Sequence, residues 1–305
     1  MNCITPINET QLLKLAPSVF AAGAHSSRSD RYGYVNSIDL IRALVEKGFD
    51  VVDARQSKAR NADKQDFTKH VVRLRHLESY ARTAALFAEG RANFRDTHTI
   101  EARAAARSIP GYGEVVLVNS HDGSSAVVLH GGILRPDCFN GLYVSDAQIA
   151  AIHVTHSKRL VANVIDGAFQ VAEQLPKALE VVGQWNQLQL THQEQNALAE
   201  AAHVLRFADD EGNVTTGVQP AQLLRVRREA DRKSDLWTVF NRVQENALRG
   251  GLEDVRPVTD AQRQRGQYRP RHLRTRAIKG IDQDVKLNKA LWTLAEKLAE
   301  VKQAA

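Results

Sequence analysis

The chain has 305 residues, 43% hydrophobic and 25% charged, with a formal net charge of +6 and two cysteines. This is globular composition, and two cysteines exclude a disulfide framework and a cysteine zinc site. No run of about 18 apolar residues exists, and the first residues lack a basic then apolar leader, so no membrane partner is expected and a cytoplasmic protein is.

Residues 1–30 are expected to form an irregular arm. Ser37 then reads as an N-cap, with Leu40, Ile41, Leu44 and Val45 on one helical face and Gly48 at C′. FDVVDARQ, from Phe49, reads as a strand, and residues 57–66 as a polar connection. In KHVVRLRH, Val72 and Leu74 alternate with Arg73 and Arg75, the pattern of a half-buried strand with a basic face. EVVLVNSHDGSSAVVLHGG is a hairpin signal, because valine-rich runs flank Asp122-Gly123, a dipeptide that accepts positive φ. AAIHVTHS suggests a short strand with His153 and Thr155 on one face. Ser157 suits the cap of a helix bearing Leu160, Val161, Val164, Ala168, Val171 and Leu175, which Pro176 should kink or end.

From there the pattern is helical. Thr191 to Glu194 is a capping-box match before Leu198, Ala202 and Leu205. DDEGN, from Asp209, is a turn, and Pro220 suits an N1 position. Leu236, Val239, Phe240, Val243 and Ala247 form a stripe ended by Gly250-Gly251. A last helix from Asp282 places Leu287, Leu291, Leu294, Leu298 and Val301 on one seam, which implies packing within the domain or in a homo-oligomer. Strands followed by helices point to an α+β fold: an N-terminal antiparallel sheet with hairpins and a packing helix, then a helical half. The expected divisions are 1–30, an α+β core at 31–186, a helical region at 187–250, an arginine-rich segment at 251–280 and a C-terminal helix at 281–305.

Arg249 to Lys279 holds the whole net charge. Nine basic residues stand there against Glu253, Asp254 and Asp260, so the rest of the chain sums to zero. Clustered guanidinium groups suit phosphate, because the fork is planar, permanently charged and bidentate. Tyr268 and His272 in the same run are able to stack on bases. A solvated charged tail is the plainer alternative.

Nothing announces catalysis. There is no G-x-S-x-G and no P-loop, and Ser120-His121-Asp122 are neighbours on a turn rather than a triad. His153 and His156 fall on opposite faces of a strand and do not chelate one metal there. No cofactor and no metal are expected.

LVNSHDGSSAVVLHGGILRPDCFNGLYV (Leu117 to Val144), YGYVNSIDLIRALVEKGFDVVDARQS, LWTVFNRVQENALRGG and TRAIKGIDQDVKLNKALWTLAE resemble a phage- and plasmid-encoded family described as domain of unknown function 932. That resemblance implies a mobile-element origin and no assigned activity. The layout of an early helix, paired hairpins and a long helix is also similar to single-strand annealing proteins of the RecT, Redβ and Erf group, which implies a basic groove for single-stranded DNA and oligomeric rings or filaments.

The sequence therefore leads to a non-enzymatic nucleic-acid-binding protein, with single-stranded DNA favoured over double-stranded and annealing or protection as its role. The expected contacts are Arg73, Arg75, His121, Arg135, Arg263, Arg265, Arg269, Arg271, Arg274 and Arg276. The alternatives are an anti-defence protein that blocks a host restriction or CRISPR complex, and a metal-dependent nuclease built on the histidines.

Overall fold

The computed structural model describes residues 6–29, 32–59, 61–79, 111–135, 140–143, 151–154, 160–258, 260–266 and 268–304. Thr155, His156, Ser157, Cys3 and Cys138 lie outside the described residues. The chain folds as two compact units, Met1–Gly183 and Gln184–Ala305.

The first unit is an antiparallel sheet with helices on one face. Its strands are β1 (Phe49–Gln56), β2 (His70–His76), β3 (Tyr112–Asn119), β4 (Val128–Arg135), β5 (Asn140–Tyr143) and β6 (Ile152–His153). The order is β1-β2-β3-β4-β5, with β6 also paired to β4. A register shift between Val51 and Asp53 makes Val52 an extra residue in β1. Phe49, Val51, Ala54, Val72, Leu74, Val115, Leu117 and Leu129 face a core completed by the helices.

The N-terminal segment is not irregular. Helix α1 (Glu9–Leu15) carries a capping box between Asn8 and Gln11, and a turn of 3-10 helix follows at Pro17–Phe20. Leu12, Ala16 and Val19 join the core. The Asn-x-x-Gln spacing was a legible start signal.

Helix α2 (Ser37–Glu46) begins at Ser37, but Asn36 is its N-cap and the Ser37 side chain points elsewhere. Leu40, Ile41 and Leu44 are buried, whereas Val45 lies past the edge of the stripe and is exposed. Gly48 follows with φ +91°, as a C′ glycine should. Helix α3 (Leu160–Gln187) runs through Pro176 rather than ending there. Proline removes one backbone hydrogen bond, but Ala178, Leu179 and Val182 beyond it are all buried. Packing of that face outweighs the local defect. A Cβ on Gly113 would stand 3.0 Å from Leu175, and one on Gly167 2.9 Å from Leu129, so glycine at both positions lets α3 lie close on the sheet.

In the second unit all three of the chain's tryptophans meet in one cluster. Trp185 lies tilted against Trp292 at 4.6 Å between ring centres, and Phe240 lies 5.7 Å from both Trp185 and Trp237, stacked on the latter. Around them stand α4 (His192–Phe207), α5 (Leu236–Arg249) and α7 (Ile281–Ala304). The Thr191–Glu194 capping box forms as read, and Asp235 caps α5 through the Thr238 N–H. Helix α5 is buried nearly all round, polar residues included. Asn241 donates to the Trp237 carbonyl, Gln244 to Asn288, and Asn246 to the carbonyls of Leu223 and Arg225.

The seam of α7 drifts from the expected one. Ile281, Leu287, Leu291, Trp292, Ala295 and Ala299 are buried, Leu294 and Leu298 only partly, and Val301 is 68% exposed. A straight helix turns about 20° per heptad away from a strict seven-residue repeat. Leu205 of α4 is likewise exposed.

Leu291→Ala should lower stability by about 2–5 kcal/mol, as for other buried leucines, while Val301→Asp should leave it within about 0.5 kcal/mol. Chemical denaturation followed by tryptophan fluorescence reads this directly, because every tryptophan lies in the second unit. Equal effects of the two substitutions would refute the assignment of the buried face.

Candidate functional site

The arginine segment folds as a two-stranded antiparallel ribbon. Strand β7 (Glu253–Arg256) pairs with β8 (Arg271–Arg274), and a short helix, α6 (Asp260–Gln264), lies between them. Its foot is fixed by backbone geometry. Leu252 is buried and exchanges hydrogen bonds with Thr275. The Asp254 carboxylate accepts from the Gly217 N–H at 2.6 Å, from Thr216 Oγ1 at 3.1 Å and from Arg256 Nε at 2.9 Å. Burial works against that carboxylate, but these donors outweigh it and hold its pKa below the ordinary value. A Cβ on Gly217 would fall 2.0 Å from the Val255 carbonyl, so only glycine permits this approach.

Beyond its foot the ribbon is open to solvent. Arg263, Arg265, Arg269, Arg271, Arg274 and Arg276 are all exposed, and so are His272 and Tyr268, the latter at 77%. Arg256 pairs with Asp254 and Arg263 reaches Asp260 at 3.9 Å. Arg265, Arg269, Arg271, Arg274 and Arg276 have no carboxylate within ion-pair distance among the described residues. Arg256 and Arg271 stand directly opposite each other in the register. Like charges at that position destabilise a ribbon.

The other expected contacts are arranged differently. Strand β2 is not half-buried with a basic outer face; both of its faces are covered, and Arg73 and Arg75 are 6% and 0% exposed. The reason is the buried Glu114 on β3. Arg73 Nε and Arg75 Nη2 each approach a different oxygen of its carboxylate, at 2.5 Å. Arg75 also lies over the Tyr112 ring, 4.5 Å from its centre. Burial disfavours the Arg73 cation, yet Glu114 beside it leaves its pKa raised above the usual arginine value. Burial raises the Asp53 carboxyl on the neighbouring strand, with Arg73 acting against that shift. Alternation of Val and Arg looked like core against solvent because the sequence gives no sign of a partner 39 or 41 residues away.

His121 is also interior, at 0% exposure, rather than presented on the hairpin. The connection between β3 and β4 is eight residues long, from Ser120 to Val127. Ser120 closes it by bonding the Ser125 backbone at both N–H and carbonyl. His121 Nε2 lies 3.2 Å from Ser37 Oγ, and its ring packs 5.1 Å from those of His70 and Tyr34. His70 Nε2 contacts the same hydroxyl at 2.8 Å, and Asn119 donates to it at 2.9 Å. Ser18 Oγ meets His70 Nδ1 at 3.1 Å. Ser37 thus ties α2 to β2 and the hairpin, and the N-terminal segment joins them through Ser18 on His70. Sequence reading took it for a cap, and only its position before an apolar run marked it. Burial, with His121 adjacent, pushes His70 down to about 3, and burial pushes His121 down to about 4. Arg135 ends β4 at 4% exposure. Among the described residues no group of three or more His, Cys, Asp or Glu is placed to hold a metal ion, and no helix there is long and apolar enough to cross a membrane.

The structure therefore divides the expected contacts. Six arginines share one exposed ribbon in the second unit, while Arg73, Arg75, His121 and Arg135 are interior to the first. What fold and ribbon define is an α+β protein carrying a solvent-exposed cationic appendage. The chain belongs to the family described as Domain of unknown function (DUF932), whose model matches residues 24–292. It is similar to UPF0380 protein YafZ and UPF0380 protein YfjQ of Escherichia coli (strain K12). Each is 34% identical over 293 residues, which cover 96% of this chain and 92% of the relative. Neither the family description nor these names carries a catalytic activity. No solved structure matches.

Two outcomes follow from the interior groups. Glu114→Gln leaves two buried guanidinium groups facing a neutral amide, and should cost about 3–5 kcal/mol in denaturant unfolding. The histidines set an acid limit. In the unfolded chain they bind protons below about pH 6.5, whereas in the folded protein they stay neutral to about 4 and about 3. The unfolded state therefore holds more protons in that window, and stability falls as pH drops, by up to about 1.4 kcal/mol per unit for each histidine. Urea midpoints between neutral pH and pH 4.5 measure the slope, which His70→Gln should reduce.

Proposed function

We propose that this protein binds nucleic acid through the cationic ribbon, with single-stranded DNA favoured and a non-catalytic role such as annealing or protection. The observation that carries the reading is the uncompensated charge of the ribbon. Five exposed arginines have no carboxylate partner among the described residues, and Arg256 opposes Arg271 across the strands. Five such arginines on a ribbon with a fixed foot repel one another, and a polyanion relieves that repulsion on binding. A two-stranded ribbon also has the dimensions to enter a duplex groove. Exposed Tyr268 and His272 favour unpaired bases, on whose faces they are able to stack.

Fluorescence anisotropy with labelled single- and double-stranded oligonucleotides tests the reading. If about four phosphates are neutralised, log affinity for a single strand should fall against log salt with a slope near −3. Replacing Arg263, Arg265, Arg269 and Arg271 by Ala should weaken binding to every sequence by more than tenfold and flatten the slope. No binding of either probe at low salt overturns the proposal.

A further inference from the structure

Beside the foot of the ribbon a second stretch of chain supplies arginines from elsewhere in the sequence. Arg225, Arg227 and Arg228 follow the 3-10 turn Pro220–Leu224 and run along the C-terminal half of α5. Asn246 holds this stretch by donating to the Arg225 carbonyl at 2.9 Å. Arg228 Nη2 grips both oxygens of the buried Glu245 at 2.7 and 2.8 Å, and its Nη1 meets Asp231 at 3.2 Å. Arg249, one turn beyond Glu245, reaches the same carboxylate at 3.1 Å while its side chain stays 47% exposed.

Arg227 is held in another way. Its Nε donates to Asn246 Oδ1 at 2.8 Å and its Nη2 to the Gly250 carbonyl at 3.0 Å. Both acceptors are neutral, and no carboxylate stands within ion-pair distance of it among the described residues. The exposed Arg225 side chain has neither an ion-pair nor a hydrogen-bond partner among them. Burial lowers the Arg227 pKa, and the positive charges of Arg249, Arg225 and Arg228 lower it further against the pull of Glu245. Shared partners tie this stretch together: Asn246 bonds both Arg227 and the Arg225 carbonyl, Arg227 reaches Gly250 next to Arg249, and Arg228 and Arg249 share Glu245.

Charge arithmetic decides between a structural and a binding role. Arg225 and Arg227 carry two positive charges that no carboxylate answers among the described residues, since Glu245 and Asp231 are engaged by Arg228 and Arg249, and Glu229 by Arg232 at 2.7 Å. The C-terminus of α5 contributes about half a negative charge, which the Arg227 contact with Gly250 answers. More than one positive charge is left over. Capping a helix does not require three further arginines, and clustering them costs electrostatic energy in the free protein.

We propose that Arg225, Arg227 and Arg249 form an anchoring site for a phosphodiester group beside the ribbon. Glu245 and Arg228 position Arg249, and Asn246 and Gly250 position Arg227. Planar forks held in advance suit phosphate oxygens, since little ordering is then left for the binding step. The site rests on the nucleic-acid reading above and adds contacts that the ribbon does not supply.

Modification of arginines by phenylglyoxal, mapped by mass spectrometry on the full-length wild-type protein with and without a single-stranded oligonucleotide, tests this without disturbing the fold. Arg225, Arg227 and Arg249 should react several-fold more slowly in the complex, while exposed Arg232 keeps its rate. Arg225→Ala, which removes no side-chain hydrogen bond or ion pair among the described residues, should weaken binding about fivefold and lower the salt slope by about 0.7, one single-strand phosphate contact. Arg227→Lys keeps the charge and loses the fork, so affinity should drop with the slope nearly intact. If the oligonucleotide binds but the three arginines stay unprotected and Arg225→Ala binds like wild type, the anchor is wrong and the ribbon reading survives. If the wild-type protein binds no oligonucleotide, both fall.

Discussion

Glu114 has no solvent-exposed side chain, and each of its carboxylate oxygens receives one arginine from the neighbouring strand. A single buried carboxylate costs several kcal/mol of lost hydration, so this arrangement exists only if Arg73, Arg75 and Glu114 arrive together. That requirement fixes the register of β2 on β3. A slip of one residue would turn both arginines into the valine-rich core and strand Glu114 without a donor. The rest of the sheet then follows from this pair of central strands. Asp53 falls opposite Arg73, and Tyr112 lies beneath Arg75. The second unit repeats the device, with Glu245 buried between Arg228 and Arg249. In both places the ion pairs specify one geometry more than they add stability, since an apolar replacement of similar volume is often no worse.

Ser37 plays the equivalent part on the opposite face of the sheet. A hydroxyl has one proton and two lone pairs, and Asn119, His70 and His121 use all of them. Three chain segments far apart in sequence meet at that oxygen, and a fourth joins through Ser18 and His70. Two neutral imidazoles beside it make the node sensitive to acid, because neither is able to take a proton without losing hydration it cannot recover. A group of neutral histidines satisfied by serine and asparagine is a structural node.

Arginine consequently does opposite jobs in one chain. Where a buried carboxylate answers it from the next strand, as at Arg73 and Arg75, it is interior and fixes the strands. Where none answers, as along the ribbon and at Arg225 and Arg227, it remains outside with its charge unspent. Residue type alone does not separate these cases. Arg228 and Arg249 fall between, both part-exposed on the buried Glu245, and which partner an arginine meets is a property of the fold. The excess in Arg249 to Lys279 was visible by counting because its three acidic residues are close in sequence. The excess around Arg227 was not, because Arg249 and the Glu245 that holds it come from α5.

Local signals in the sequence were sufficient wherever an element is decided by its own residues. The boundaries of β1, the capping box at Thr191, the apolar stripe of α5 and the Gly48 stop all depend on neighbours within a few positions. So did the order of strands before helices, and with it the α+β class. Tertiary structure decided what no window contains. Pro176 sits inside a continuous helix because buried side chains beyond it outweigh one missing hydrogen bond. The α7 seam rotated because a straight helix does not keep a seven-residue repeat. Arg73, Arg75 and His121 moved from surface to interior because their partners, Glu114 and Ser37, lie about 40 to 84 residues away. Periodicity reports which side chains share a face. Only packing decides whether that face meets water, another layer or an opposite charge.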